Sequence, residues 1–380
     1  MSAPRIALIR QKYNPAGGAE RFVNRAIRAL TEQGADITLI ARQWEQDSAQ
    51  RVVRLTPWYL GSTWRDWSFS RAVCRHLKHT HYDLVQSHER LDCCDVFRAG
   101  DGVHREWLTQ RARTMGPLRR LALRVSPHHA YVLHAERQMF ASPRLRAVIC
   151  NSRMVKDELV RYFGLREEQF AVVYNSVDLE EFSPRQREPW RNARRQALGI
   201  PQEMFTLIHV GSGFERKGVG TILRAMARAS AACHLIVVGG DKREARYQSL
   251  AAELGIASRV HFAGVQRDTR HYYAAADAFV MASLYEPFAN ASMEALAMGL
   301  PVVTSTKSGA AEILEQGKTG YVCDALDVGG FSAAIDALAN RERRLAMSAA
   351  ARDLAQRFTV DAMTAQLLSL YHRLLSDSSA

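Results

Sequence analysis

The chain has 380 residues, of which 47% are hydrophobic and 24% charged, and it carries a formal net charge of +12. This balance is typical of a globular protein of two or three domains, and it excludes a disordered or fibrous chain. No stretch approaches the roughly 18 consecutive apolar residues that a membrane-spanning helix needs. The first apolar run ends at Arg10, too early for a signal peptide, so the sequence predicts a cytoplasmic protein.

Short apolar runs in the first half of the chain predict buried strands at Ile6–Ile9, Ile37–Ala41 and Leu84–Gln86. A helical pattern through Ile27 and Leu30 ends near Gly34. The second half repeats the alternation of strands and helices more regularly. Its predicted strands are Thr206–Val210, His234–Val238, Val260–Phe262, Ala278–Ala282 and Pro301–Ser305, and its predicted helices are Val219–Ala231, Tyr247–Leu254, Thr269–Ala276, Ala291–Ala297 and Val360–Leu375. Such alternation favours an α/β fold with parallel sheets covered on both faces.

The segment Leu179–Arg195 is predicted to join two domains. It contains two prolines, mixes acidic residues with arginines, and shows little apolar periodicity. We therefore expect a first domain over residues 1–185 and a second over residues 186–359. Residues 360–380 are expected to form a C-terminal helix that packs back on the first domain.

The positive charge is concentrated in the first half of the chain. Residues 1–200 contain 33 Lys and Arg against 21 Asp and Glu, whereas residues 201–380 contain 18 of each. The densest part is residues 101–150, with nine basic residues against three acidic ones and aromatic residues interspersed. A solvated basic face without a partner is one interpretation. A phosphorylated or anionic-membrane partner fits arginines and aromatic residues better, and no nucleic-acid-binding motif is recognisable.

The six cysteines are scattered, and the adjacent pair Cys93 and Cys94 lacks the C-x-x-C spacing of a ligand pair. A structural zinc site would need four ligands at recognisable spacing. The cysteines are therefore interpreted as small buried apolar residues in a reducing compartment, and no metal is expected.

Two carboxylates eight residues apart, Glu286 and Glu294, flank a predicted loop-to-helix transition. Backbone amides at such a helix start, near Asn290, suit an anion such as a pyrophosphate. Carboxylates beside it can accept hydrogen bonds from sugar hydroxyls. An ordinary acidic loop and helix is the alternative interpretation.

A glycine-bearing loop, Gly211–Gly218, follows a predicted strand and opens a helix, as phosphate-binding loops do. It differs from the dinucleotide pattern G-x-G-x-x-G because Arg216 stands at the third glycine. Arg216 and Lys217 beside backbone amides fit a diphosphate better than a nicotinamide cofactor. The alternative is a basic helix start without a ligand. The sequence contains no Asp-x-Asp, which argues against a sugar transferase that grips its nucleotide through a divalent metal.

The order of these motifs resembles the retaining glycosyltransferases of family 4, over nearly the whole chain. The stretches that carry the resemblance are Gly17-Gly18-x-Glu20, Tyr174-Asn-Ser-Val-Asp178 with Phe182-Ser-Pro184, the Arg216-Lys217 loop, and Glu286 with Glu294. The resemblance implies the GT-B fold, an α/β architecture of two Rossmann-like doubly wound domains facing a cleft. It also implies a nucleotide-sugar donor and no metal cofactor.

Within this family the chain is similar to the glucosyltransferases of the lipopolysaccharide core. The stretches concerned are Lys12–Gly18, Trp44-Glu45-x-Asp47, Val96–Asp101 and Val210–Val219. They imply retaining transfer of glucose from UDP-glucose to an inner-core heptose at the cytoplasmic face of the inner membrane. The alternatives are a family-4 enzyme of another surface polysaccharide or glycolipid with a different donor sugar, a sugar-nucleotide epimerase, and a non-enzymatic membrane adaptor.

The resemblance also implies roles for donor-site residues. Arg216 and Lys217 would neutralise the diphosphate as the glycosidic bond breaks, in place of a metal. Glu286 would hold hydroxyls of the donor sugar, and Glu294 would accept hydrogen bonds from the ribose. The other predicted donor-binding residues are Gly17, Gly18, Gly211, Gln266, Phe288, Ala289 and Asn290.

On the acceptor side, Asp101 is expected to orient the acceptor hydroxyl. It need not be a base, because the leaving phosphate of a retaining enzyme of this type can take the acceptor's proton. His104 is assigned to the acceptor, and a structural role in a turn is the alternative for both residues. The residues expected to meet the acceptor or an anionic membrane surface are His104, Arg111, Arg113, Arg119 and Arg120.

Overall fold

The computed structural model describes residues 3–12, 27–28, 30–44 and 51–376. It consists of two compact units, one formed by Met1–Tyr174 with Asp361–Ala380 and the other by Asn175–Val360. The first unit therefore gives way to the second at Tyr174, ahead of the predicted division at 185/186. Among the described helices, none combines the length and the hydropathy that crossing a membrane requires.

The first unit is built on a seven-stranded parallel sheet with the strand order β3-β2-β1-β4-β5-β6-β7. The strands are β1 (Arg5–Ile9), β2 (Asp36–Ala41), β3 (Arg51–Arg54), β4 (Leu84–Ser87), β5 (Val96–Arg98), β6 (Ala147–Cys150) and β7 (Phe170–Val172). The central strands β1 and β4 are buried along nearly their whole length because both faces of the sheet are covered.

Helices cover both faces of this first sheet. In chain order they are α1 (Gly61–His79), α2 (His104–Ala112), α3 (Pro117–Arg124), α4 (Pro127–Phe140), α5 (Arg153–Phe163) and the C-terminal α13 (Val360–Ser376). Ile6 and Leu8 of β1 pack with Leu367 and Tyr371 of α13 on one face, whereas Ile9 packs on the other. Helix α13 thus completes the core of the first unit, although residues 175–360 separate it from the rest of that unit in sequence.

The interpretation of all six cysteines as separate buried residues is wrong for two of them. Cys74 on α1 and Cys93 in the loop between β4 and β5 form a disulfide. No spacing signal marks this pair in the sequence, because helix packing on the sheet brings the two residues together. Cys94, Cys150 and Cys233 are buried thiols, as expected, and Cys323 is half-buried.

The second unit is built on a six-stranded parallel sheet with the strand order β10-β9-β8-β11-β12-β13. Its strands are β8 (Thr206–Val210), β9 (His234–Val238), β10 (Val260–Gly264), β11 (Ala278–Met281), β12 (Val302–Ser305) and β13 (Gly320–Cys323). Its helices are α6 (Arg187–Ala197), α7 (Val219–Arg228), α8 (Glu244–Glu253), α9 (Arg270–Ala275), α10 (Asn290–Ala297), α11 (Val328–Ala339) and α12 (Arg341–Ala355).

The predicted joining segment contains helix α6, which apolar periodicity did not indicate. Arginines rather than apolar side chains attach this helix. Arg195 is fully buried and donates to the carboxylate of Asp277 at 2.9 Å and to the carbonyl of Ala275 at 2.8 Å. Arg191 donates to the other oxygen of Asp277 at 2.8 Å. Because guanidinium groups make the contacts that apolar residues usually make, the helix carried no hydrophobic signal.

Candidate functional site

The strand order of the second sheet reverses between the adjacent parallel strands β8 and β11. The loops that follow these two strands therefore begin side by side at the carboxyl edge of the sheet. In open α/β sheets, ligands bind outside the carboxyl ends of the strands at such a reversal. The loop after β8 contains Arg216 and Lys217, and the loop after β11 contains Glu286. Residues that lie 70 positions apart in sequence therefore meet at one edge of the sheet.

Gly218 allows the two loops to pack closely. Its φ is +73°, and a Cβ atom built on it would lie 1.8 Å from the carbonyl oxygen of Ala282. Only glycine fits this backbone contact without displacing the end of β11. The amide of Leu284 donates to the carbonyl of Arg216 at 2.9 Å, which joins the loops a second time.

Arg216, Lys217 and Glu286 form an ion cluster. One carboxylate oxygen of Glu286, Oε2, accepts from Nη1 of Arg216 at 2.7 Å and also from Nζ of Lys217. Glu286 and Lys217 are buried. Burial lowers the pKa of Lys217, and Glu286 opposes that effect. Burial alone would raise the pKa of Glu286, but Lys217 and Arg216 outweigh it and lower that pKa to about 2. The cluster therefore holds one carboxylate against two cations, a net positive site suited to an anion.

The Glu286 loop is also bound to the loop after β12. The amide of Glu286 donates to the carbonyl of Lys307 at 2.9 Å, and the amide of Gly309 donates to the carbonyl of Glu286 at 2.9 Å. Within the described residues, the buried hydroxyls of Ser283 and Ser308 have no hydrogen-bond partner. Buried polar groups are nearly always bonded, so these two hydroxyls are unsatisfied polar groups beside the Glu286 loop. Sequence reasoning missed both serines because isolated serines carry no spacing signal.

Helix α10 holds the second predicted carboxylate. Glu294 is buried and accepts from the hydroxyl of Tyr273 at 3.0 Å. Asn175 donates through Nδ2 to the carbonyl of Phe288 at 3.0 Å and to Oδ1 of Asn290 at 2.7 Å, which fixes the start of the helix. Ala289 is the residue before the helix, and it makes no side-chain hydrogen bond to the first amides of α10. These amides and Glu294 lie on the helix that directly follows the Glu286 loop.

Two other predicted donor-site residues lie on neighbouring loops. The amide of Gly211 donates to the carbonyl of Val238 at 2.8 Å, and a Cβ atom at this position would lie 3.3 Å from Cε of Lys217. Gly211 thus leaves room for the lysine side chain. Gln266, after β10, donates to the carbonyl of Ala263 in its own turn. This bond holds Gln266 within its turn rather than against the ion cluster, so its donor-binding role stays a prediction.

His209, at the carboxyl end of β8, was not predicted from sequence. Its imidazole is fully buried, and Nδ1 lies 3.1 Å from the carbonyl of Val280. Burial lowers its pKa to about 4, so the ring is neutral at pH 7. A lone histidine inside an apolar strand gives no functional signal in the sequence.

In the first unit, Asp101 and His104 follow β5 at the carboxyl edge of that sheet. Asp101 is exposed, whereas the amide of His104 donates to the buried Glu136 at 3.0 Å. Arg90 donates to the same carboxylate oxygen at 3.0 Å. Burial raises the pKa of Glu89 and of Glu136, and the nearby charge of Asp101 adds to the rise. Sequence reasoning missed Glu136, which binds the amide of His104, Arg90, which binds Glu136, and Glu89, which senses the charge of Asp101.

The imidazole of His104 lies 3.1 Å, Nε2 to Nδ1, from that of His129 on α4. Burial and then the charge of Arg90 lower the pKa of His104 to about 3. His104 is therefore neutral at pH 7, and it does not contribute to the basic surface as a cation.

The predicted basic residues lie on and around α2 and α3. Arg111 lies with its guanidinium 5.8 Å from the ring of Trp107, and Arg113 donates to Gln110 at 2.9 Å. Arg119 and Arg120 are exposed. Gly17 and Gly18 lie outside the described residues.

Among the described His, Cys, Asp and Glu residues, a single group of three brings its potential ligand atoms close enough to share a metal ion. It consists of Cys74, Asp92 and Cys93, whose ligand atoms lie within 4.8 Å of one another. Two of these atoms are the sulfurs of the disulfide, and none belongs to the ion cluster of the second unit.

Two family models together match most of the chain. The model described as Glycosyltransferase Family 4 matches residues 16–181, and the one described as Glycosyl transferases group 1 matches residues 191–354. The lipopolysaccharide glucosyltransferase WaaG of Escherichia coli K12 is 27% identical over 328 residues, which cover 83% of this chain and 84% of the relative. D-inositol 3-phosphate glycosyltransferase 2 of Catenulispora acidiphila is 30% identical over 79% of this chain and 73% of the relative.

Two solved structures show the same fold. The crystal structure of WaaG matches with a TM-score of 0.82 at 24% identity, covering 95% of this chain and 98% of that one. The structure of Anabaena HepE in complex with UDP-glucose matches with a TM-score of 0.75 at 20% identity, covering 97% of this chain and 99% of that one.

Proposed function

Because the chain belongs to the family-4 glycosyltransferases and has the GT-B fold, we propose that it transfers glucose from UDP-glucose to an inner-core heptose of lipopolysaccharide. The observation that carries the proposal is the ion cluster of Arg216 with the buried Lys217 and Glu286 at the strand-order reversal of the second sheet. The similarity to a lipopolysaccharide glucosyltransferase supports the sugar and the acceptor. The UDP-glucose complex of a protein with the same fold supports the donor.

In this proposal, Arg216 and Lys217 bind the diphosphate and stabilise the negative charge that develops on it as the glycosidic bond breaks. They act as preorganised cations, so no metal is required. Glu286 then exchanges part of its contact with the two cations for hydroxyls of the glucose. The amides at the start of α10 bind phosphate oxygens, and Glu294 accepts hydrogen bonds from the ribose.

The reaction is proposed to retain the anomeric configuration. The acceptor hydroxyl attacks the anomeric carbon from the side of the leaving group, and its proton passes to the departing phosphate oxygen. Asp101 accepts a hydrogen bond from that hydroxyl and orients it. The exposure of Asp101 leaves its carboxylate accessible to an acceptor.

The acceptor is proposed to be reached at the cytoplasmic face of the inner membrane, with the basic segment 101–150 on the anionic surface. Helix α3 supports this because Leu118 and Leu121 are exposed on it beside Arg119, Arg120 and Arg124. Each cation near an anionic surface contributes about 1 kcal/mol within a Debye length. High salt should therefore release the protein from anionic vesicles.

A second candidate is a family-4 enzyme of another surface glycolipid with a different donor or acceptor. This candidate is supported by the similarity, at 30% identity, to a relative named as a D-inositol 3-phosphate glycosyltransferase. A phosphorylated acceptor also agrees with the basic first unit.

The deciding experiment is a panel of UDP and GDP sugars tested against defined inner-core acceptors and inositol 3-phosphate, with the product linkage determined. The expected result is an α-glucosyl product on an inner-core heptose, formed equally well in the presence of a chelator. A product on inositol 3-phosphate alone would replace the proposed acceptor. Loss of turnover in chelator, restored by manganese, would contradict the metal-free mechanism.

A further inference from the structure

An exposed aromatic segment, residues 58–67, lies in the first unit, outside the basic segment 101–150. It runs from Trp58, before α1, to Trp67 on that helix. Trp58 is 71% exposed, Leu60 74%, Trp64 40% and Trp67 45%. The rings of Trp58 and Trp64 pack edge to face with their centroids 4.6 Å apart. Contiguous exposed apolar side chains of this size mark interaction sites.

Buried contacts hold this segment in its exposed position. The guanidinium of Arg42, itself buried, donates to the carbonyl of Pro57 at 2.7 Å and to that of Arg65 at 3.2 Å. The same guanidinium lies 4.6 Å from the ring centroid of Tyr59. The backbone is therefore anchored just before Trp58 and just after Trp64, and the two rings remain outside the core.

The stretch of chain that contains the segment is positively charged. Residues 51–79 contain six Lys and Arg and a single acidic residue, Asp66. Asp66 is paired with Arg65 at 2.9 Å, so it offers little free negative charge. The guanidinium of Arg71 lies 5.7 Å from the ring centroid of Trp67.

The segment also lies next to the helix that follows α3. The hydroxyls of Ser62 and Thr63 lie 3.5 and 3.4 Å from Nδ1 of His128, which is on the first turn of α4. Helix α3 ends at Arg124, just before α4 begins. The aromatic segment and the exposed leucines of α3 therefore lie on neighbouring elements of the same unit.

We propose that the segment 58–67 is a second membrane contact, in which the tryptophans enter the interfacial layer of an anionic bilayer. Tryptophan combines a large apolar ring with a polar N–H and prefers that layer. The excess of cations over acidic residues within 51–79 matches anionic headgroups. This inference deepens the proposed function, since it rests on the acceptor being carried by a membrane, and it adds a contact that depends on apolar burial.

The first test measures where the tryptophans lie. The full chain is mixed with phosphatidylglycerol-containing vesicles whose acyl chains are brominated near the headgroup, and tryptophan fluorescence is recorded. We expect quenching and a blue shift. In Trp58→Phe/Trp64→Phe/Trp67→Phe, which keeps Trp44, Trp107 and Trp190, most of the quenching should be lost. Equal quenching in the variant would overturn the proposal, because the quenched rings would lie elsewhere.

The second test measures binding. Trp58→Ser/Trp64→Ser should need at least about tenfold more vesicle lipid for half-maximal binding, since burial of one such ring contributes more than a factor of ten. Exposed Val265, in the second unit, provides the matched control, and Val265→Ser should bind as the wild type does. Unchanged vesicle binding by the tryptophan variant would overturn the proposal and would favour a protein partner for the segment.

A third measurement separates this inference from the proposed function. UDP binding and glucosyl transfer to a detergent-solubilised acceptor should be unchanged in Trp58→Ser/Trp64→Ser, which also reports that the variant is folded. If Trp58→Ser/Trp64→Ser transfers glucose normally and also binds vesicles as the wild type does, the membrane contact at 58–67 is contradicted and the proposed function is unaffected. Absence of glucosyl transfer in the wild type, with quenching as expected, would remove the proposed function alone.

Discussion

Replacement of Glu286 by Gln tests whether this carboxylate keeps Lys217 charged. Burial lowers the pKa of Lys217, the attraction of Glu286 opposes it, and Arg216 lowers it further. A glutamine at this position would keep the size of the side chain but lose the attraction, while the effects of burial and of Arg216 would remain. The pKa of Lys217 should therefore fall below its value in the wild type.

The consequence is a pH-dependent loss of phosphate affinity. While Lys217 is protonated, the variant should bind UDP about as well as the wild type, because both cations are present. Above the point at which Lys217 loses its proton, one charged hydrogen bond disappears. Such a bond contributes about 1.5–3 kcal/mol, so UDP affinity should drop roughly 10- to 150-fold as the pH rises.

Calorimetric titration of UDP between pH 6 and 9, in buffers of different ionisation enthalpy, measures both the affinity and the protons taken up. We expect proton uptake at high pH in Glu286→Gln that is absent in the wild type. The exposed Glu253→Gln should resemble the wild type, and Glu286→Gln/Lys217→Met should bind weakly at every pH. Parallel pH profiles for Glu286→Gln and the wild type would refute the reasoning.

Three other predictions concern the second unit. Glu294→Gln should weaken UDP binding by about 1–3 kcal/mol with little change in kcat, because a ribose contact is equal in the ground and transition states. Tyr273→Phe should have a smaller effect in the same direction, because Tyr273 binds the same carboxylate. A loss confined to kcat would contradict the assignment of Glu294 to the ribose. Gly218→Ala should lower the free energy of unfolding in urea by more than Gly213→Ala. Both positions have positive φ, which costs alanine about 1–3 kcal/mol, but only at Gly218 would the added Cβ also meet a backbone atom. Equal losses in the two variants would show that the backbone contact at Gly218 relaxes freely. The pKa of Glu286 is lowered to about 2 from an ordinary 4.5, so the ionised carboxylate stabilises the fold by about 3 kcal/mol above pH 4.5. This contribution disappears as the pH falls toward 2. Between pH 6 and pH 3 the free energy of unfolding in urea should therefore fall less in Glu286→Gln than in the wild type.

The strands of the second unit were the most predictable part of the fold. Thr206–Val210 and His234–Val238 match the structure at both ends because parallel strands buried on both faces are continuous apolar runs. Helix α6 was missed for the opposite reason, since its buried contacts are made by arginines. The disulfide between Cys74 and Cys93 was missed because it depends on tertiary packing.

Local sequence predicted the members of the ion cluster but not how they pair. Arg216 and Lys217 were predicted as a phosphate-binding pair and Glu286 as a sugar-binding carboxylate, and these roles stay predictions. Their mutual ion pairing follows from the strand order, which no local pattern encodes. Tyr273 and His209 were missed because an aromatic residue or a histidine within an apolar run is usually part of the core.

The division between the units changes what the excess positive charge means. Counted by unit, residues 1–174 and 361–380 contain 29 Lys and Arg against 19 Asp and Glu, whereas residues 175–360 contain 22 against 20. The arginines of α6 therefore belong to the second unit, where Arg191 and Arg195 are bound to Asp277. What remains in the first unit is a net excess of ten, part of it exposed on α1 and α3. Charge that is already paired inside a unit cannot attract a membrane. The net charge counted by unit, rather than by halves of the chain, is therefore the count that supports electrostatic membrane binding by the first unit.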